Sequence, residues 1–119
     1  MSVKWNNRQA GGVTVVDASG PITTGRGTII LRDTMQTLLA GGANHLILNL
    51  AEVAYMDSSG IGEMVSAFTG AKNQGGALKL LNVNKRIVDL LKMTHLDTIF
   101  QTFEGEAEAV ASFGGAESN

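Results

Sequence analysis

From Val13 to Pro21 the chain reads VTVVDASGP, a β-branched run closed by a Gly-Pro turn, which predicts a strand. The polar-rich stretch before it, Ser2 to Gln9, is placed to pair with it as a hairpin through Ala10-Gly11-Gly12. From Thr28 to Ala40 the period changes: Leu31, Met35, Leu38 and Leu39 recur at helical spacing until Gly41-Gly42. HLILNL (His45 to Leu50) is almost continuously apolar, as in a strand covered on both faces. Ile61, Met64, Val65 and Phe68 then follow the i, i+3, i+4, i+7 pattern of a helix packed by one face, which stops at Gly75-Gly76. ALKLLNV (Ala77 to Val83) predicts another strand. Asn84 to Met93 predicts a helix capped by Asn84, with Ile87, Leu90 and Leu91 inward. Ile99 and Phe100 are assigned to a short last strand, and Gly105 to Phe113 to a last helix. Strands alternating with helices imply an α/β fold: a mixed β-sheet of about four to five strands, with about four helices packed mainly on one face.

Composition narrows the class. The chain has 119 residues, the usual length of one domain, so residues 1–119 are expected to form a single unit with a frayed tail at 114–119. It has no cysteine, which removes disulfides and thiolate metal sites and fits a reducing compartment. A net charge of −2 gives no basic footprint for nucleic acid or an anionic membrane. No segment approaches the ~18 apolar residues of a membrane span, and the first residues do not resemble a signal peptide. A soluble cytoplasmic domain is the expectation.

Short enzyme motifs almost appear and then fail. GIGEMV begins like a dinucleotide-binding G-x-G-x-x-G, but Val65 stands where the third glycine belongs, and GRGTII fails in the same way at Ile30. There is no Gly-Lys-Ser/Thr of a P-loop. A nucleophile elbow would need glycine two residues before its serine, where Ser58 has Met56 and Ser59 has Asp57. His45 and His95 are the only histidines. His95 is read as a residue at a helix C-terminus, where positive charge is favoured, and His45 as a solvated edge residue at a strand start. Neither belongs to a metal motif, so no metal or cofactor is expected. Trp5 is read as covering an edge of the core. Glu106 and Glu108, near a helix start, are read as a solvated face favoured by the dipole.

YMDSSGIGEM (Tyr55 to Met64) holds the chemical candidates. Asp57, Ser58 and Ser59 fall between a buried strand and the helix that follows, so an oxygen there can cap the first-turn N–H groups. Three polar residues followed by Gly-x-Gly exceed what capping needs, and Gly60 and Gly62 leave the backbone open to a close-approaching partner. A helix start also accommodates an anion, so a serine phosphate of about −1.5 to −2 charge could form there without refolding the domain.

LNLAEVAYMDSSGIG (Leu48 to Gly62) resembles the strand, connector and Asp-Ser-Ser/Thr/Ala-Gly-Leu/Ile/Val-Gly signature of the STAS domain family, in particular its anti-sigma factor antagonists. The likeness extends to GGANHLILNL before it and to the segment from Gly75 to Phe113 after it, with the same order of elements. The resemblance implies that Ser58 is the phosphoacceptor of a GHKL-type anti-sigma factor serine/threonine kinase. The unphosphorylated protein would bind that kinase and free a sigma factor, and phosphorylation would release it until a PP2C-type phosphatase restored the hydroxyl. Asp57 would orient the site, Ser59 and Gly60 would shape the helix start, and the partner surface would include the helix from Ile61 through Gly62 to Lys72. Mg²⁺ and ATP would belong to the kinase, this chain would be no enzyme, and the free form would be a monomer. GPITTGRG (Gly20 to Gly27) departs from the family's common Gly-x-Leu/Ile-Asp, so Thr23 stands where many antagonists carry an acid near the phosphosite, and the resemblance implies that Thr23 supports that site and the partner contact. The alternative is a STAS scaffold or accessory module of another signalling or transport complex.

Overall fold

The computed structural model describes residues 5–114. Its elements run β1 (Asn6–Ala10), β2 (Val13–Ser19), α1 (Arg26–Ala40), β3 (His45–Glu52), α2 (Ser58–Asn73), β4 (Ala77–Leu81), α3 (Lys85–Met93), β5 (Thr102–Phe103) and α4 (Glu106–Ala111). The five strands lie in the order β1-β2-β3-β4-β5, with β1 antiparallel to β2 and the remaining pairs parallel. The sheet is therefore mixed: its parallel pairs follow the alternation of strands and helices, and its antiparallel pair is the expected hairpin.

The period-2 geometry of β3 explains its unbroken apolar run. Leu46, Leu48 and Leu50 point to one face, where they meet Leu31 and Met35 of α1, Ile61, Met64 and Ala67 of α2, and Ile87 and Leu91 of α3. Ile47 points to the other face and packs with Val13, Val15, Leu81 and Ala109 of α4. Three helices thus cover one face and the short α4 covers the other. Replacing Leu48 by Ala in the larger cluster would remove about 2–5 kcal/mol of stability.

Several expectations change in the structure. The hairpin forms through Gly11-Gly12, although residues 2–4 lie outside the described residues, as does the expected tail apart from Gly114. α1 begins two residues before Thr28, and Gly27 in its first turn packs against the backbone of Pro21 and Ile22. A Cβ on Gly27 would stand 2.3 Å from the Pro21 carbonyl oxygen. Ile99 and Phe100 are not strand residues. Phe100 is buried in the larger cluster against Phe68, and Ile99 is exposed, so the pairing edge falls at Thr102–Phe103 instead. An apolar pair marks burial here, not a ladder. His45 is not at an edge: β3 is the central strand, and the half-buried imidazole ring lies 5.2 Å from the Phe113 ring. Glu106 is not simply solvated, since it takes a two-point ion pair from Arg8, which also holds Asp17. Arg8 lowers the pKa of both carboxyls. Trp5 covers the core edge as expected and donates its Nε1–H to the Ser19 carbonyl at 2.9 Å.

Candidate functional site

Beyond the last paired residues of β2 and β3 the two chains stay zipped. Ile22 bridges Met56 in parallel, the Ile22 N–H donates to the Tyr55 carbonyl at 3.0 Å, and the Asp57 N–H donates to the Ile22 carbonyl at 3.3 Å. This pairing brings the loop after β2 against the start of α2. Gly60 completes the fit: it is buried, and a Cβ there would lie 2.6 Å from both the Ile22 carbonyl oxygen and Met56 Cγ. Its role is internal packing. Gly62, in contrast, is exposed, with open space where a Cβ would sit.

Asp57 is the N-cap of α2. Its Oδ1 accepts the N–H groups of Ser59 at 3.0 Å and Gly60 at 3.2 Å, together with the Ser59 hydroxyl. Its Oδ2 accepts the Thr24 N–H at 3.1 Å. The Thr24 hydroxyl lies 3.1 Å from Ser59 Oγ and 3.4 Å from Asp57 Oδ2, with one proton to share between them. Donors converging on the ionised carboxylate, the Ser59 hydroxyl foremost and the Thr24 N–H next, hold the Asp57 pKa down at about 2. Asp57 is therefore a fixed negative charge and a poor base at neutral pH.

The neighbouring serines differ sharply. Ser59 is half-buried and its hydroxyl is engaged on both sides. Ser58 is exposed, and among the described residues no hydrogen bond occupies its hydroxyl. It borders a cleft of about 380 Å³ between the β3–α2 connector and α3. Asn84 fixes the far wall. Its side-chain Oδ1 caps α3 by accepting the Ile87 N–H at 3.0 Å, while its Nδ2 donates to the carbonyls of Val53 and Ala54 at 3.1 and 3.2 Å.

Of the residues singled out from sequence, the structure gathers Asp57, Ser58, Ser59 and Gly60 at the helix start, while Ile61 is 5% exposed and belongs to the core. Thr23 is one position away from the contact: Thr24 is the residue that reaches Asp57, and Thr23 instead accepts the Thr28 N–H through its backbone carbonyl. A Thr-Thr pair at the end of a loop gave no way to choose between its members. Tyr55 and Arg86 also border the cleft, and neither belongs to a periodic apolar pattern that would single it out in the sequence. His95 sits just past the end of α3 with φ 60°, and among the described residues no hydrogen bond joins it to either serine. Among the described residues no group of three or more His, Cys, Asp or Glu side chains could hold a metal ion, and no helix is long and apolar enough to cross a membrane.

The fold and this site together define a small α/β domain that presents one unengaged hydroxyl beside a fixed carboxylate. The STAS domain model matches residues 4–109, and the chain belongs to that family. An anti-sigma-B factor antagonist of Bacillus subtilis is 41% identical over 70 residues, a match covering 59% of this chain and 63% of that relative's length. The solved anti-sigma factor antagonist of Mycobacterium paratuberculosis superposes with a TM-score of 0.79 at 18% identity over 94% of both chains. The phosphorylated form of the Bacillus cell fate determinant SpoIIAA superposes with a TM-score of 0.72 at 19% identity, over 92% of this chain and 98% of that one. At these identities the solved structures establish the fold.

Proposed function

We propose that this chain is an anti-sigma factor antagonist: a cytoplasmic regulator that binds an anti-sigma factor kinase of GHKL type while Ser58 carries a free hydroxyl, and lets go when Ser58 is phosphorylated. The observation that carries the reading is the asymmetry of the serine pair. Ser59 is consumed by the cap, whereas Ser58 is exposed and unengaged one residue away. The regulatory names of its curated relatives point the same way.

The chemistry asked of this chain is small. Ser58 Oγ forms a bond to the γ-phosphorus of ATP, the bond from that phosphorus to the β,γ-bridging oxygen breaks, and ADP leaves. The hydroxyl proton goes to a base supplied by the kinase, because Asp57, with its pKa near 2, has little proton affinity to offer. This chain is then a substrate and not an enzyme. The product places a phosphate of about −1.5 to −2 charge beside a permanently ionised carboxylate. A partner surface fitted to a neutral hydroxyl next to one negative charge would face about three, and like-charge juxtaposition across an interface costs several kcal/mol. A PP2C-type phosphatase would restore the hydroxyl by hydrolysis.

Incubation with a GHKL-type anti-sigma kinase and MgATP, followed by peptide mass spectrometry, tests this assignment. Phosphate on the Tyr55–Lys72 segment at Ser58 is the expected result. Phosphate confined to Ser59 or to another hydroxyl would overturn it.

A further inference from the structure

The cleft beside Ser58 contains a cation whose partner is aromatic. Its borders include Tyr55, Asp57, Ser58, Arg86, Asp89 and Met93. The Asp89 carboxylate already has a counter-ion, the Lys85 ammonium at 2.8 Å. Arg86, on the first turn of α3, has no ion pair among the described residues. Its guanidinium carbon lies 5.5 Å from the centre of the Tyr55 ring, and that ring is 47% exposed. Such a contact at an exposed site is weak. Asn84 nevertheless ties the start of α3, which carries Arg86, to the connector that leads to Ser58: it caps α3 and donates to the Val53 and Ala54 carbonyls.

We propose that Arg86 is the internal counter-ion of a phosphate on Ser58, leaving the Tyr55 ring for the phosphate oxygens when that group is added. The proposal rests on Ser58 being the phosphoacceptor. A phosphate in this cleft lies among Asp57, Asp89 with its Lys85, and Arg86, of which Arg86 alone offers a charge not already committed to a carboxylate. A guanidinium can grip two phosphate oxygens at once, which a weak contact with a ring face cannot outbid. Phosphorylation then does more than add charge. It pulls a basic side chain inward and bares the face of an already exposed tyrosine, so the surface shown to a partner changes across both sides of the cleft.

The test uses the full chain with phosphoserine placed at position 58 during translation, so it needs no kinase. Phosphorus NMR follows the second ionisation of the phosphate in the parent chain and in Arg86→Gln and Arg86→Lys. The pair predicts a pKa at least about half a unit higher in Arg86→Gln than in the parent, with Arg86→Lys between them. Superimposable titrations overturn it. Tyr55 is the only tyrosine in the sequence, so its ring proton signals are read without ambiguity. In the parent chain they should shift when serine 58 carries phosphate, and unmoved signals overturn the proposal even if a variant fails to fold. Neither readout involves partner affinity, so failure of this pair and failure of the antagonist switch are separate results.

Discussion

α2 and α3 each begin a few residues beyond the carboxyl end of a parallel strand, and each is capped by a side-chain oxygen. At α3, the neutral Asn84 spends both ends of its amide inside the chain, on the Ile87 N–H and on two carbonyls of the neighbouring connector. At α2, the cap is a carboxylate that gathers Ser59, Gly60 and Thr24 and leaves the adjacent Ser58 hydroxyl with no internal task. One helix start is closed, and the other holds a charge and a spare hydroxyl at the surface. A polar helix start is thus no evidence of function by itself. What separates the two is whether every polar atom near the cap is accounted for.

The largest expected effect removes the spare hydroxyl. Ser58→Ala should abolish phosphate incorporation by the kinase, as read by intact-mass spectrometry, and should leave the denaturation midpoint close to the parent's. Ser59→Ala should keep incorporation and lower the midpoint, because its hydroxyl supports Asp57. Equal loss of incorporation in both would erase the distinction between the serines. Next comes the packing beneath the α2 start. Gly60→Ala drives a methyl into the Ile22 carbonyl and Met56 and should cost about 1–3 kcal/mol in urea denaturation. The closed start supplies the counterpart: Asn84→Ala should cost about 1–2 kcal/mol for the lost cap and carbonyl contacts while leaving Ser58 a competent acceptor.

The smallest effect isolates the charge. Asp57→Asn keeps a cap oxygen and discards the carboxylate. Because folding lowers the Asp57 pKa from 3.8 to about 2, the carboxylate stabilises the fold fully above about pH 4, and that contribution is lost as pH falls through 4 toward 2. Asp17 and Glu106 are lowered as well, but they stay in both proteins. Acid titrations followed by circular dichroism should therefore show the parent losing stability more steeply than Asp57→Asn in that window. Parallel curves would mean that the cap does not depend on charge.

The order of elements was legible because burial leaves different marks on strands and helices: the short apolar run at Leu46–Leu50 after Gly41-Gly42 fits a buried strand, and the spacing of Ile61, Met64 and Phe68 fits one face of a helix. Phe100 misled for a related reason, since an isolated buried aromatic has no period with which to reveal its backbone. The Asp57 cap was also legible, because capping is a local matter of sequence. Thr24 was not, since it reaches Asp57 across 33 positions through the Ile22–Met56 bridge, and a one-residue choice between two threonines depends on that register. Gly60 reads in the sequence as room for a partner, whereas in the fold its neighbour is the Ile22 carbonyl. Arg86 shares a cleft with Ser58 only because Asn84 ties α3 to the connector, a link that is invisible in the order of the residues.

Affinity for the anti-sigma kinase, measured by calorimetry on the hydroxyl and phosphoserine-58 forms of the same chain, tests the central claim most directly. The account predicts tight binding by the hydroxyl form and a loss of about 100-fold or more on phosphorylation, the scale of a few kcal/mol of like-charge repulsion. Equal affinity of the two forms would contradict it.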